Sequence, residues 1–327
     1  MPQIIVENLQ KTFKVAVRRP GLWNSLKSVA HREYKTIPAL QNISFQLNAG
    51  ELVGYIGPNG AGKSTTIKIM SGILTPDSGK CEIMGRVPWK QRIEHVRRIG
   101  VVFGQRTQLW WDVPVGDSFD LLKDIYKIPF PQYQHTRDEL VASLGLQNII
   151  ETPVRQLSLG QKMRCELAAS LLHQPPILFL DEPTIGLDAV SKLAVRDFIR
   201  KINRERNVTV ILTTHDMDDI EALCSRIILI GKGKILLDGT IEQIRHKISP
   251  ERVMTVDFMR EPAMAEYDGV TQMRGDDGRV ELRFNPAVIS AAELINQITI
   301  NNEIRDFTVE NPPIEEIIAK MYSEFKI

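Results

Sequence analysis

The chain has 327 residues and a formal net charge of +1 at pH 7; 43% of its residues are hydrophobic and 25% are charged. At roughly 150 residues per domain, that length predicts about two domains, and the composition excludes wholesale disorder, collagen and low-complexity architecture. The near-neutral balance offers no general attraction to nucleic acid, so no nucleic-acid partner is expected. Cys81, Cys165 and Cys224 lie far apart without metal-ligand spacing. They read as small core residues in a reducing compartment. No run approaches the ~18 apolar residues of a membrane span. The start, MPQIIVENLQK, lacks the charged segment and apolar stretch of a secretory signal. The expectation is a cytoplasmic chain that meets a membrane only through a partner.

From about residue 4 to about 245, short apolar runs alternate with segments of helical period, the pattern of a sheet flanked by helices. Residues 14–36 interrupt it as a basic insertion: Lys14, Arg18, Arg19, Lys27, Arg32 and Lys35 stand against Glu33 alone. Leu22, Leu26 and Val29 recur there at helical spacing beside Trp23. Two readings stand open, a surface helix covering the sheet edge and a basic amphipathic helix near lipid headgroups.

Residues 51–56 read as a strand, followed by Gly57-Pro58-Asn59-Gly60-Ala61-Gly62-Lys63-Ser64 and a helix over STTIKIMSGI. The octapeptide fits G-x-x-x-x-G-K-S/T in its required strand–loop–helix setting. Its glycines let the backbone curl with the N–H groups inward, and these donors and the positive helix end cradle phosphates. Lys63 supplies a point charge for the terminal phosphates. Ser64 can ligate Mg²⁺, with Thr65 as a further phosphate donor.

Residues 177–180 form a second apolar strand that ends in Asp181 and Glu182. Adjacent strand residues face opposite ways, so the pair divides its labour. Asp181 suits the magnesium shell, and Glu182 suits a general base on the attacking water. A third strand, 208–214, runs into His215. That is again a strand's carboxyl end, where ligand groups gather in open α/β sheets, and His215 is expected to reach the γ-phosphate. A fourth strand is read at 226–230.

The tail after about residue 247 alternates Met254, Val256 and Phe258, then Val280, Leu282 and Phe284 across the turn signal GDDG at 275–278. Ser290 and Glu293 form a capping-box pattern, 306–310 reads as a strand, and Ile314, Ile317, Ile318, Met321 and Phe325 share one face of a last helix. It has no catalytic cluster, so an interaction or regulatory role is the expectation.

Further motifs fall into order around these: Gln105 in VVFGQR, Leu157-Ser158-Leu159-Gly160-Gln161 before the carboxylate strand, and Ile185-Gly186-Leu187-Asp188 after it. The ordered set resembles the ATP-binding subunit of ATP-binding cassette (ABC) transporters over about residues 4–245. It is most similar to a branch that pairs with separate export-type permeases. The insertion before ALQNISF, the QLWWDVPV stretch and the carboxy-terminal appendage carry that likeness.

The resemblance implies a P-loop NTPase fold: a mixed sheet with flanking helices, a helical subdomain over about 106–172 and a small α+β appendage over 248–327. It implies ATP and Mg²⁺ as ligands, a permease on another chain, and a second cassette, most simply a homodimer. It places the chain at the inner face of the cell membrane. Gln105 would touch magnesium or the attacking water. Ser158, Gly160 and Gln161 would meet the γ-phosphate held by the other copy, and Asp188 would cross the seam. Phe13 holds the usual place for stacking on adenine, with Tyr34 as the alternative. Trp110 and Trp111 follow Gln105, where the family meets its permease; they read either as anchors or as core aromatics.

One residue departs from the pattern. Leu159 stands where the signature commonly has glycine, and its Cβ limits positive φ and close backbone approach. The rival class is an ABC ATPase acting on nucleic acid or ribosomes. The single cassette, the absence of heptads and the neutral charge speak against it.

Overall fold

A computed structural model describes residues 2–16, 34–104, 106–248, 251–262, 266–274 and 279–324, with side chains undescribed at 16 and 246–248. Gln105, most of the basic insertion including Leu22, Trp23, Leu26 and Val29, the GDDG turn and Phe325 lie outside the described residues. The chain divides into two units, residues 1–239 and 240–327.

In the first unit, β1 (Pro2–Ala16) pairs antiparallel with β2 (Tyr34–Asn48). β1 also pairs with the fourth strand, β4 (Ser78–Ile83), giving the order β2-β1-β4. The pairing continues through Lys14–Thr36 and Ala16–Tyr34. Both ends of the stretch read as an insertion are therefore strand, because ladder pairing outweighs their charge.

The second sheet joins β3 (Leu52–Ile56), β5 (Ile99–Phe103), β6 (Ile177–Asp181), β7 (Thr209–Thr213), β8 (Arg226–Gly231) and β9 (Lys234–Thr240) in the order β5-β6-β7-β3-β8-β9. Strands β5, β6, β7, β3 and β8 pair in parallel. Their runs are apolar at successive positions because both faces are covered: β3 and β7 are buried throughout. Adjacency of β6, β7 and β3 brings three strand ends together, at the carboxyl edge where open sheets collect ligands.

Between β3 and β6 run α1 (Lys63–Met70), α2 (Arg92–Val96), α3 (Val115–Tyr126), α4 (Phe130–Leu144) and α5 (Leu159–Leu171). Helices α3, α4 and α5 pack on one another around buried Phe119, Tyr133 and Leu140. Helix α6 (Ala189–Arg206) follows β6 and α7 (Met217–Leu223) follows β7.

The second unit holds α8 (Ile241–Ile248), then β10 (Arg252–Phe258), β11 (Val270–Arg274), β12 (Val280–Phe284), α9 (Ala291–Thr299), β13 (Ile304–Glu310) and α10 (Ile314–Glu324). Its antiparallel sheet has the order β11-β12-β10-β13. The alternating Met254, Val256, Val280, Leu282 and Phe284 are buried and cluster with Leu294 and Ile298 of α9. Ser290 caps α9 by accepting the Glu293 amide at 3.2 Å. Ile314, Ile317, Ile318 and Met321 are buried on one face of α10, which contacts α8. That contact is why residues 240–248 belong with the appendage. The sequence pattern had missed β11.

Candidate phosphate-binding and hydrolytic site

The loop at 57–64 takes its shape from backbone angles that side chains disfavour. Gly60 and Gly62 have φ of 81° and 114°, in the region open to glycine. Gly57 is needed for space, since a Cβ there would lie 2.2 Å from the Ile230 carbonyl oxygen. Lys63 curls back into the loop: its Nζ donates to Gly57 O at 2.5 Å and Pro58 O at 3.3 Å. Burial pulls its ammonium below the usual lysine range, and the charges of Glu182 and Asp181 oppose that shift.

Asp181 ends β6 beside the loop. Ser64 Oγ donates to its Oδ1 at 3.4 Å and Thr213 Oγ1 to the same oxygen at 2.5 Å. Hydroxyl and carboxylate oxygens are the hard donors that magnesium prefers, so Ser64 and Asp181 fit a Mg²⁺ ion. Glu182 has φ of 56°, a strained region for a side-chain residue. Its amide donates to Thr213 O at 2.9 Å, and its carbonyl packs where a Cβ on Gly104 would come within 2.6 Å. His215 Nδ1 lies 3.3 Å from Glu182 Oε1. A cleft of about 470 Å³ is lined by Asn59, Ser64, Lys68, Arg106, Asp181 and Glu182 among others.

The signature and the Asp188 cap pack together as one edge. Ser158 caps α5 reciprocally with Gln161: its Oγ accepts the Gln161 amide at 3.2 Å, and Gln161 Oε1 accepts the Ser158 amide at 2.9 Å. The amides of Leu159 and Gly160 begin the helix without intrahelical acceptors, so they can receive an anion. Leu159 is the first helical residue and is not among the positive-φ positions. The angular restriction expected of its Cβ therefore does not arise. Asp188 caps α6, accepting Ser191 N at 2.9 Å and Ser191 Oγ at 2.7 Å. These bonds, backbone first, hold its carboxyl below the ordinary aspartate range. A Cβ on Gly160 would lie 2.3 Å from Ser191 Oγ, so the signature packs on the Asp188 cap. Among the described residues, no hydrogen bond or ion pair joins this edge to the loop at 57–64.

Phe13 and Tyr34 sit on the β1–β2 arm. Phe13 pairs with Ile37 and Ala16 with Tyr34, without irregularity between them. Directly paired residues share a face and faces alternate, so Phe13 and Tyr34 lie on opposite faces. Both are exposed, and Lys11 Nζ is 5.8 Å from the Phe13 ring centre. Trp110 and Trp111 are 39% and 51% exposed, which favours anchors over core aromatics.

Two features escaped the sequence reading. Thr213 touches both carboxylate positions, and only its place at a strand end could have signalled that. The other is a buried charge network. Asp219, fully buried, accepts from Arg196 Nε and Thr184 Oγ1, and from Thr214 Oγ1 at 3.4 Å. Lys192 Nζ donates to Asp216 at 2.5 Å. These bonds tie the segments after Glu182 and His215 to the helix that Asp188 caps.

No described helix is long and apolar enough to cross a membrane. Residues 40–185 match the family model described as ABC transporter. The ABC transporter ATP-binding protein NatA of Bacillus subtilis (strain 168) is 30% identical over 64% of this chain and 85% of its own. The ABC transporter ATP-binding protein YhcH of the same organism, itself uncharacterized, is 29% identical over 88% of this chain and 92% of its own. Among solved structures, the ATP-binding cassette MJ0796, a dimer in a post-hydrolysis state bound to ADP and Pi, superposes with a TM-score of 0.61. It is 25% identical over 73% of this chain and 98% of its own. With the phosphate loop, the paired carboxylates and the signature all present in the cassette fold, the chain belongs to the family of ABC transporter ATP-binding subunits, ATPases that bind ATP with Mg²⁺.

Proposed function

We propose that this chain powers an exporter: two copies clasp ATP head to tail and drive a separate permease. The observation that carries it is the convergence of Ser64, Asp181, Glu182 and His215 at three adjacent strand ends, with no hydrogen bond or ion pair, among the described residues, joining Ser158 or Asp188 to the loop at 57–64. One copy then supplies the phosphate loop and the other the signature amides.

Each residue has a role in this reading. Phe13 stacks on adenine. Lys63 and the backbone N–H groups of Gly60, Gly62, Lys63, Ser64 and Thr65 hold the β- and γ-phosphates. Ser64, Asp181 and Gln105 would hold Mg²⁺, which supplies charge neutralisation on the phosphate oxygens. Glu182 accepts a proton from the attacking water as the bond from the γ-phosphorus to the bridging oxygen breaks. His215, oriented through Nδ1 by Glu182, presents Nε2 to the γ-phosphate. Ser158, Gly160 and Gln161 form the helix end that faces this phosphate across the seam, and Asp188 crosses beside it. Cleavage breaks the covalent link between the phosphate that faces the partner's signature and the nucleotide held by the loop, and once the phosphate leaves the copies separate.

Exposed Trp110 and Trp111 suit docking on the permease, since aromatic residues anchor interfaces. Through it the chain sits at the inner membrane face. Export rests on the branch likeness of the 14–36 insertion, the QLWWDVPV stretch and the appendage.

The test is Glu182→Gln in the full chain. ATP hydrolysis should fall by about a hundredfold or more, while ATP binding persists and an ATP-dependent dimer accumulates. Hydrolysis at the wild-type rate would remove Glu182 from the role of base, and a monomer under all nucleotide conditions would remove the shared site.

A further inference from the structure

The cleft that holds Ser64, Asp181 and Glu182 is also lined by two cations, Lys68 and Arg106. Lys68 is half-buried and Arg106 exposed. Among the described residues, neither side chain makes a hydrogen bond or ion pair, although two carboxylates share the cleft with them. Those carboxylates are engaged elsewhere: Asp181 by Ser64 and Thr213, and Glu182 by His215. Lys63, by contrast, is folded into the phosphate loop.

The placement of Lys68 follows from the helix. Ser64 and Lys68 are four residues apart on α1, so they share a face about one turn, roughly 5–6 Å, apart. The Lys68 side chain lines the same cleft as Ser64. Arg106 lines the cleft too, two residues beyond Gly104, whose N donates to Asp181 O at 2.8 Å. Gly104 admits no side chain at the neck, where a Cβ would strike the Glu182 carbonyl.

We propose that Lys68 and Arg106 form a second anion subsite, which receives inorganic phosphate after it has been cut from the nucleotide. The inference rests on the assignment of Ser64, Asp181 and Glu182 as the place of cleavage. The freed phosphate is an anion held beside two carboxylates and the remaining diphosphate, all of which repel it. A point charge one turn along α1 and a planar guanidinium able to bind two oxygens form a place for it to go. The subsite separates phosphate from ADP before either leaves, which disfavours resynthesis.

Equilibrium binding of inorganic phosphate to the full chain loaded with ADP and Mg²⁺, by calorimetry or dialysis of labelled phosphate, tests this. The double variant Lys68→Gln, Arg106→Gln should bind phosphate at least tenfold more weakly than wild type and keep its ADP affinity. Lys68→Arg should retain phosphate binding. Equal phosphate affinity in wild type and the double variant would overturn the subsite, as would failure of the wild type to bind phosphate at all. Loss of ADP affinity in the double variant would overturn it too, because the cations would then serve the nucleotide. Lys63→Ala tests the underlying assignment separately: if it binds ATP and ADP as tightly as wild type, the phosphate loop has been misassigned, whatever the two cations do.

Discussion

The Thr213 hydroxyl donates to Asp181 Oδ1 at 2.5 Å, across parallel strands that pair the two residues in register. The bond leaves Oδ2 of Asp181 for other work and fixes the carboxylate plane. Hydrogen bonds to charged groups contribute about 1.5–3 kcal/mol. Thr213→Val should therefore raise the Mg²⁺ concentration needed for half-maximal ATP hydrolysis by about tenfold, while nucleotide binding in the presence of a chelator stays unchanged. A magnesium titration of ATPase activity reads both.

Gly160 packs against the cap of the neighbouring helix. Any side chain there meets Ser191 Oγ at 2.3 Å and Ser191 Cβ at 2.9 Å. Gly160→Ala must push the signature away from Asp188, at an overpacking cost of about 1–3 kcal/mol. Thermal unfolding should show the loss, and ATP hydrolysis should fall with it. Adding Ser191→Gly should restore much of the melting temperature.

Arg196, half-buried on α6, pairs with fully buried Asp219 and lies 3.5 Å from Asp216, joining α6 to the segment that follows His215. Truncating Asp219 leaves Arg196 with its Asp216 partner and some access to water, so the cost is that of the lost charged hydrogen bonds, about 1.5–3 kcal/mol. Asp219→Ala should destabilise the chain by that amount in denaturant titration. Replacing both residues with apolar ones of similar volume should recover stability without recovering full ATPase activity, because the segment that follows His215 loses this anchor on α6.

His173 makes stability depend on pH. Burial lowers its pKa to about 4, while the bond to Ile99 O at 2.9 Å acts the other way. The ring stacks on Tyr126 with centroids 4.0 Å apart. An unfolded histidine titrates near 6.5. Between these values the unfolded chain binds the extra proton, so stability rises with pH. The full contribution is present above about pH 6.5 and is lost as the pH falls toward 4, about 3 kcal/mol in all. Denaturant midpoints measured from pH 4 to 7.5 should flatten over this range in His173→Phe.

The chemistry of this chain was legible because it resides in short segments. A glycine-rich loop after an apolar strand, two carboxylates at a strand end and a capped helix start are set by the backbone preferences of a few neighbouring residues. The residues alone therefore marked Lys63, Ser64, Asp181, Glu182 and the Ser158 helix start as candidates, the resemblance added Asp188, and the alternation in the appendage located its core. Tertiary structure decided what local preference cannot encode. The order β6-β7-β3 gathers the three strand ends. Ladder register sends Phe13 and Tyr34 to opposite faces and extends strand into the basic stretch. The Thr213 bonds hold Glu182 in a conformation its own side chain disfavours. The Arg196–Asp219 pair and the cleft shared by Lys68 and Arg106 join segments far apart in the chain. Such relations arise from which surfaces pack together, and packing is settled by the burial of the whole core.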